Sequence, residues 1–142
     1  MKAYLSRRYH FSASHRLHVE SLSEAENQAT FGKCNNPFGH GHNYTVQVTF
    51  SGQVDAETGM VANLADLDQF AKEHLLARFD RTNLNTLDLF ESVVPTTENF
   101  ALALRGIFEQ FPYARLENVH VEETSNNSFD FAGPALPQAG RY

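Results

Sequence analysis

Cys34, His40 and His42 lie in the segment FGKCNNPFGHGHNY (residues 31–44), and their types and spacing suit chemistry better than any other residues of the chain. A thiol and two imidazoles are soft donors that can hold a transition metal or move protons near neutral pH. Cys34 is the only cysteine, so no intrachain disulfide can form, and the thiol is filler, metal ligand or reactive group. The Gly, Lys, Asn and Pro residues around it are loop chemistry, which favours the reactive group. The two histidines lead into Tyr44–Ser51, where Tyr44, Val46, Val48 and Phe50 alternate with Thr45, Gln47 and Thr49. That alternation is a half-buried strand, and extending it back to residue 40 turns both imidazoles toward the buried face.

A second strand brings a third imidazole. Over Lys2–Leu17, Tyr9, Phe11, Ala13 and Leu17 share a parity with His15, while Arg8, Ser12 and Ser14 lie opposite. Three imidazoles buried without partners would be costly. Three separately hydrogen-bonded histidines would meet that cost, but three on two strands that can pair point instead to one Zn2+ with an open fourth position. Glu123 is the remaining anomaly, since it continues the parity of Val119 and Val121. Either its carboxylate binds the N–H groups of a planar heterocycle, or the strand has already twisted out to solvent. His10, His18, His74 and His120 lack such context and are read as ordinary polar residues, with His18 and His74 as substitutes.

The elements that must position these residues follow from period and punctuation. Glu20–Thr30 shows no clear period and is expected as a loop or a short irregular turn. Gly52 and Asp55–Gly59 form a turn, with Met60–Ala62 as a short return strand. From Asn63 to Phe79 the apolar residues recur every three or four positions, a helix capped by Asn63. A second helix is expected over Thr97–Phe111, after Pro95, capped by Thr96 or Thr97 and ended by Pro112. Asn118–Thr124 and Ser128–Phe131 read as a hairpin. The order ββααββ predicts a single α+β domain over residues 1–142, an antiparallel four-stranded sheet with two helices on one face.

Composition narrows the function. With 42% hydrophobic and 20% charged residues, the 142-residue chain is an ordinary globular one. A net charge of −6 argues against nucleic acid as the main partner. Arg7, Arg8, Arg16 and Lys33 could still form a local cluster for one small anion, or simply a solvated face. No apolar run approaches the length of a membrane span, and the N-terminus reads as a strand, so the expected compartment is the cytoplasm.

FSASHRL (residues 11–17), FGKCNNPFGHGHNY (31–44), DRTNLN (80–85), PTTENFA (95–101) and EETSNN (122–127) together resemble the 6-pyruvoyltetrahydropterin synthase family, in the family's order. The spacing between Cys34 and His40 is longer than in the queuosine-pathway branch of 6-carboxytetrahydropterin synthases and resembles the pyruvoyl branch. The resemblance implies the tunnelling fold, assembled as a homohexamer of two trimers with sites between subunits. It implies His15, His40 and His42 as zinc ligands, Cys34 as the proton-abstracting base, and Glu123, helped by Thr96 and Thr97, as the pterin holder. The implied activity is that of a carbon–oxygen lyase of tetrahydrobiopterin biosynthesis. It converts 7,8-dihydroneopterin triphosphate to 6-pyruvoyltetrahydropterin with loss of triphosphate.

One position departs from the family pattern. Its Asp-His relay is Asp80–Arg81 here, and arginine stays protonated, so it cannot shuttle a proton as histidine does. Arg81 could pair with Asp80 or hold the Cys34 thiolate. Two further functions therefore stand beside the synthase. One is a lyase cleaving the side chain of the same substrate, giving 6-carboxytetrahydropterin or a hydroxymethylpterin. The other is a non-enzymatic pterin binder, against which the retained cysteine weighs.

Overall fold

A computed structural model describes residues 1–132; residues 133–142 of the expected domain lie outside the described residues. The chain runs β1 (Lys2–His15), α1 (Glu24–Phe31), β2 (His40–Gln53), α2 (Leu64–Ala71), α3 (Ala77–Phe79), β3 (Thr82–Asn83), α4 (Thr97–Phe108), β4 (Arg115–Thr124) and β5 (Asn127–Ala132). The architecture is α+β, as expected. The sheet has five strands in the order β3-β1-β2-β4-β5, all neighbours antiparallel except the short β3, which runs parallel to β1.

That fifth strand corrects the expected count of four. It exists because Arg81 adopts φ 58°, turning the chain so that its N–H donates to the Ser12 carbonyl at 2.5 Å. Thr82 and Asn83 then fall beside Ala13 and Ser14. Two residues are too few to show an alternating period.

The long strands obey the parity read from the sequence. β1 and β2 pair over their whole lengths, with Tyr9 opposite Val46, Phe11 opposite Tyr44 and His15 opposite His40. Tyr44, Val46, Val48, Phe50, Val119 and Val121 are buried under the helices. Phe100, near the start of α4, is the hub of the packing. Its ring meets Phe11, Tyr44, Phe79 and Phe90 edge-on at centroid distances of 5.1–6.0 Å. Such pairs add specific geometry to the apolar area they remove from water.

Asn63 caps α2 by accepting from the Ala65 N–H at 2.8 Å, and Thr96 caps α4 by accepting from the Asn99 N–H at 3.2 Å. The first expected helix is continuous to Phe79, but Lys72–Leu76 forms a π-type turn within it. α4 stops at Phe108 and not at Phe111, because Gln110 and Phe111 donate to Ile107 and Phe108, tightening the last turn before Pro112.

Two local expectations fail. Most of Glu20–Thr30, expected as a loop or a short irregular turn, belongs to α1, which runs Glu24–Phe31. Ser23 and Glu26 make a reciprocal capping box, and the buried Asn27 side chain donates to the carbonyls of Val19, Leu22 and Ser23. Polar bonds hold this helix where an apolar stripe normally would. Met60–Ala62 is not a strand; the Asp55 N–H donates to the Met60 carbonyl, and the Asp55 side chain folds back on Glu57 and Thr58 in a turn.

Candidate active site

The β1–β2 pairing builds the site by bringing His15 and His40 opposite each other, with His42 two residues along and on the same face. His42 Nε2 lies 3.0 Å from His15 Nε2, and His40 Nε2 lies 3.1 Å from Cys34 Sγ. One donor atom from each of His15, Cys34, His40 and His42 falls within 4.8 Å of the other three. His15 is fully buried. Its Nδ1 is 2.9 Å from the Pro95 carbonyl, which can only accept, so Nδ1 carries the proton and Nε2 turns its lone pair to the centre of the cluster. A backbone carbonyl fixing the far nitrogen of a ligating histidine is the usual outer support of a metal site. The donor set suits a borderline-soft divalent ion such as zinc.

Burial favours the neutral ring at His15 and His42, lowering the pKa of both below the ordinary histidine value against the opposing pull of Glu123. Burial, and then the Glu123 charge, push the Cys34 thiol up. Without a nearby cation the sulfur stays protonated.

Gly39 sets the entry of β2 into the site. It adopts φ +69°, and a Cβ there would lie 2.9 Å from the His15 carbonyl oxygen. Only glycine lets the chain pass so close to β1 in this conformation. The Cys34 loop is fastened on the same side. Leu17 donates to the Cys34 carbonyl at 2.7 Å, and the buried Asn35 side chain donates to the Leu17 carbonyl at 2.8 Å.

Glu123 faces the cluster and is only 11% exposed, so β4 has not twisted out to solvent there. In the β4–β5 ladder Glu122 faces Ser128 and Thr124 faces Asn127, leaving Glu123 as the unpaired bulge residue. Bulges commonly re-aim a side chain beside a site. Its carboxylate accepts from the Thr97 hydroxyl at 2.7 Å and stays 3.6 Å from His42 Nε2 and 3.8 Å from His15 Nε2. Thr96 serves as the helix cap, and among the described residues it makes no hydrogen bond to Glu123.

The remaining expected residues lie elsewhere. Asp80 accepts from the Ser12 N–H at 3.1 Å, and Arg81 is exposed at the sheet edge; among the described residues its side chain makes no hydrogen bond or ion pair. The four basic residues do not converge. Arg7 is held bidentately by Asp68, Arg8 donates to Gln47, Arg16 donates to the Asn35 carbonyl, and Lys33 is exposed. Of the two substitute histidines, His18 contacts Asn35 and His74 lies against Phe70 with the rings tilted by 41°. The Pro95 carbonyl and Gly39 were missed by sequence reasoning. A buried backbone acceptor leaves no residue signal, but the glycine between Phe38 and His40 could have prompted the question.

A helix-backed, mainly antiparallel sheet with inward histidines where the end of β1 meets the start of β2 is the architecture of the tunnelling fold. The family model described as 6-pyruvoyl tetrahydropterin synthase matches residues 4–134, and the chain belongs to that family. It is 47% identical over 134 residues to the 6-pyruvoyl tetrahydrobiopterin synthase of Homo sapiens, covering 93% of this chain and 92% of that one. The corresponding Drosophila melanogaster protein is 43% identical over 143 residues, covering 99% and 84%. The solved structure of Caenorhabditis elegans 6-pyruvoyl tetrahydropterin synthase superposes with a TM-score of 0.82 at 41% identity, covering 94% and 97%. No helix among the described residues is long and apolar enough to cross a membrane.

Proposed function

We propose that the chain is a zinc-dependent synthase that converts 7,8-dihydroneopterin triphosphate to 6-pyruvoyltetrahydropterin with elimination of triphosphate. The observation that carries this reading is the convergence of His15, His40, His42 and Cys34 within 4.8 Å, with the Glu123 carboxylate beside them. His15, His40 and His42 hold the zinc. When bound, it supplies positive charge that acidifies C–H bonds of the substrate side chain and steadies developing enolate charge.

The other steps belong to the chain's own groups. Glu123, its carboxylate oriented by the Thr97 hydroxyl, accepts the N–H groups of the pterin ring and fixes its plane. Thr96 acts through the N-terminus of α4, which it caps. Cys34, as the thiolate, takes a proton from the side chain lying over the cluster. Asp80 and Arg81, on the edge of the sheet, would act on a site of a neighbouring subunit in the hexamer of two trimers. In that reading Arg81 supplies positive charge and no proton relay.

Arg81 also favours one second reading. Without a titrating imidazole next to Asp80, the proton route can end in side-chain cleavage, giving 6-carboxytetrahydropterin or a hydroxymethylpterin. Incubation with 7,8-dihydroneopterin triphosphate and mass spectrometry of the products decides the matter. Pyruvoyl product with inorganic triphosphate supports the synthase, and a shortened side chain supports the cleaving lyase. Pterin binding without turnover would overturn both in favour of a binder.

A further inference from the structure

We infer that Cys34 is the fourth ligand of the metal in the resting protein, and that it leaves this position when substrate enters. The inference rests on reading His15, His40 and His42 as metal ligands, and goes beyond it by closing the position they leave open. A tetrahedral ion with nitrogens at about 2.0–2.1 Å and sulfur at about 2.3 Å separates two nitrogens by about 3.3 Å and nitrogen from sulfur by about 3.5 Å. The corresponding separations here are 3.0 Å between His15 and His42 and 3.1 Å between His40 and Cys34. Each of these two pairs is within a few tenths of an ångström of its tetrahedral separation, and all four donor atoms lie within 4.8 Å of one another.

The sulfur is held there by its backbone. The Gly32–Asn35 turn is tied to the residues just after His15 through the Leu17 N–H, the Asn35 side chain and the Arg16 guanidinium. The competing donor is Glu123, whose Oε2 accepts from Thr97 and whose oxygens lie 3.6 and 3.8 Å from the nearest ring nitrogens, against 3.1 Å between the sulfur and His40. Among the described residues, His40 is the only side chain hydrogen-bonded to the sulfur. Coordination exchanges the S–H bond for a metal–sulfur bond and releases one proton to solvent, with no change of oxidation state. When the sulfur leaves the metal it is already a thiolate, so the missing relay histidine is not needed to deprotonate it.

The test is the ligand set of the metal-loaded protein. X-ray absorption of the zinc protein should show one sulfur at about 2.3 Å beside nitrogen neighbours. The cobalt(II)-substituted protein should show a sulfur-to-cobalt charge-transfer band in the near ultraviolet. That band should vanish in Cys34→Ala at unchanged cobalt stoichiometry, and should vanish in the unmodified protein on saturation with 7,8-dihydroneopterin. Stoichiometric metal with only nitrogen and oxygen neighbours overturns the inference but leaves the histidine site standing. Absence of stoichiometric metal overturns both. A band that persists with the pterin bound overturns the displacement. Should Cys34→Ala not fold, the absorption measurement on the unmodified protein still decides.

Discussion

Replacing Gly39 with alanine separates the two reasons given for glycine at the entry to β2. The first is conformational, because at φ +69° an alanine pays about 1–2 kcal/mol for the left-handed backbone. The second is steric, since the new Cβ would sit 2.9 Å from the carbonyl oxygen of His15, at the end of the β1–β2 ladder. Backbone in a paired strand cannot yield as a flexible side chain would, and overpacking of this kind costs about 1–3 kcal/mol more. Gly59 is the internal control, with φ +72° and nothing within 4 Å of the position a Cβ would take. Gly59→Ala should therefore lose only the first part, about 1–2 kcal/mol. At this chain length each kcal/mol moves Tm by about 3–4 °C. Gly39→Ala should fall by roughly 6–20 °C and Gly59→Ala by roughly 3–8 °C. Thermal unfolding followed by circular dichroism gives both values, and bound zinc measured on the folded proteins should fall only for Gly39→Ala. Equal losses of Tm, with zinc retained in both, would refute the close-approach argument.

Three further outcomes are expected. Thr97→Val removes the hydroxyl that donates to the nearly buried Glu123 carboxylate, at a cost of about 1.5–3 kcal/mol; pterin binding followed by fluorescence should weaken, and unchanged affinity would show that Thr97 does not orient Glu123. For His120, burial opposes the charged ring, but hydrogen bonds to Glu122 and Asp130 outweigh it and raise the pKa. A raised pKa means that the folded state binds the proton more tightly, so the contribution is full below the unfolded value near 6.5 and is lost as pH rises through the higher folded value. With its partners partly exposed, the effect is about 0.5–1 kcal/mol, and His120→Asn should flatten the decline in urea-unfolding stability above pH 6.5. An unchanged slope would remove His120 as its cause. Phe100→Ala deletes the ring on which Phe11, Tyr44, Phe79 and Phe90 converge, and should cost about 3–5 kcal/mol by denaturant titration. A loss under about 1 kcal/mol would mean that the core closes over the gap.

The legible parts of the molecule were those governed by a period. Alternation along β1 and β2 placed His15, His40 and His42 on one face, and the three-to-four-residue recurrence in residues 63–79 and 97–111 located both long helices, the second overrun by three residues. What escaped obeys no period. α1 presents only Asn27 to the interior and is held by a capping box, although Ser23 and Glu26 at N-cap spacing were a readable sign of it. β3 consists of two residues whose pairing depends on the backbone of Arg81. Arg105 sits mid-helix among apolar neighbours and is nonetheless buried, spanning to the carbonyls of Glu117 and Phe131 and so tying β5 to α4. Parity pointed at Glu123 but could not choose between a buried carboxylate and a strand turning outward; the bulge that decides it is a property of the β4–β5 pairing.

The register of β1 against β2 carries one more consequence. A slip of β1 by one residue would not merely move the site; it would turn every β1 side chain to the opposite face of the sheet. Arg8, His10 and Ser12 would then go under the helices, while His15 would turn to water. A chain misaligned in this hairpin therefore loses its interior and its donor cluster in the same event. No slipped isomer keeps the four donors together, so a chain whose donor cluster is assembled has, by that fact, passed a proofreading step on its own folding.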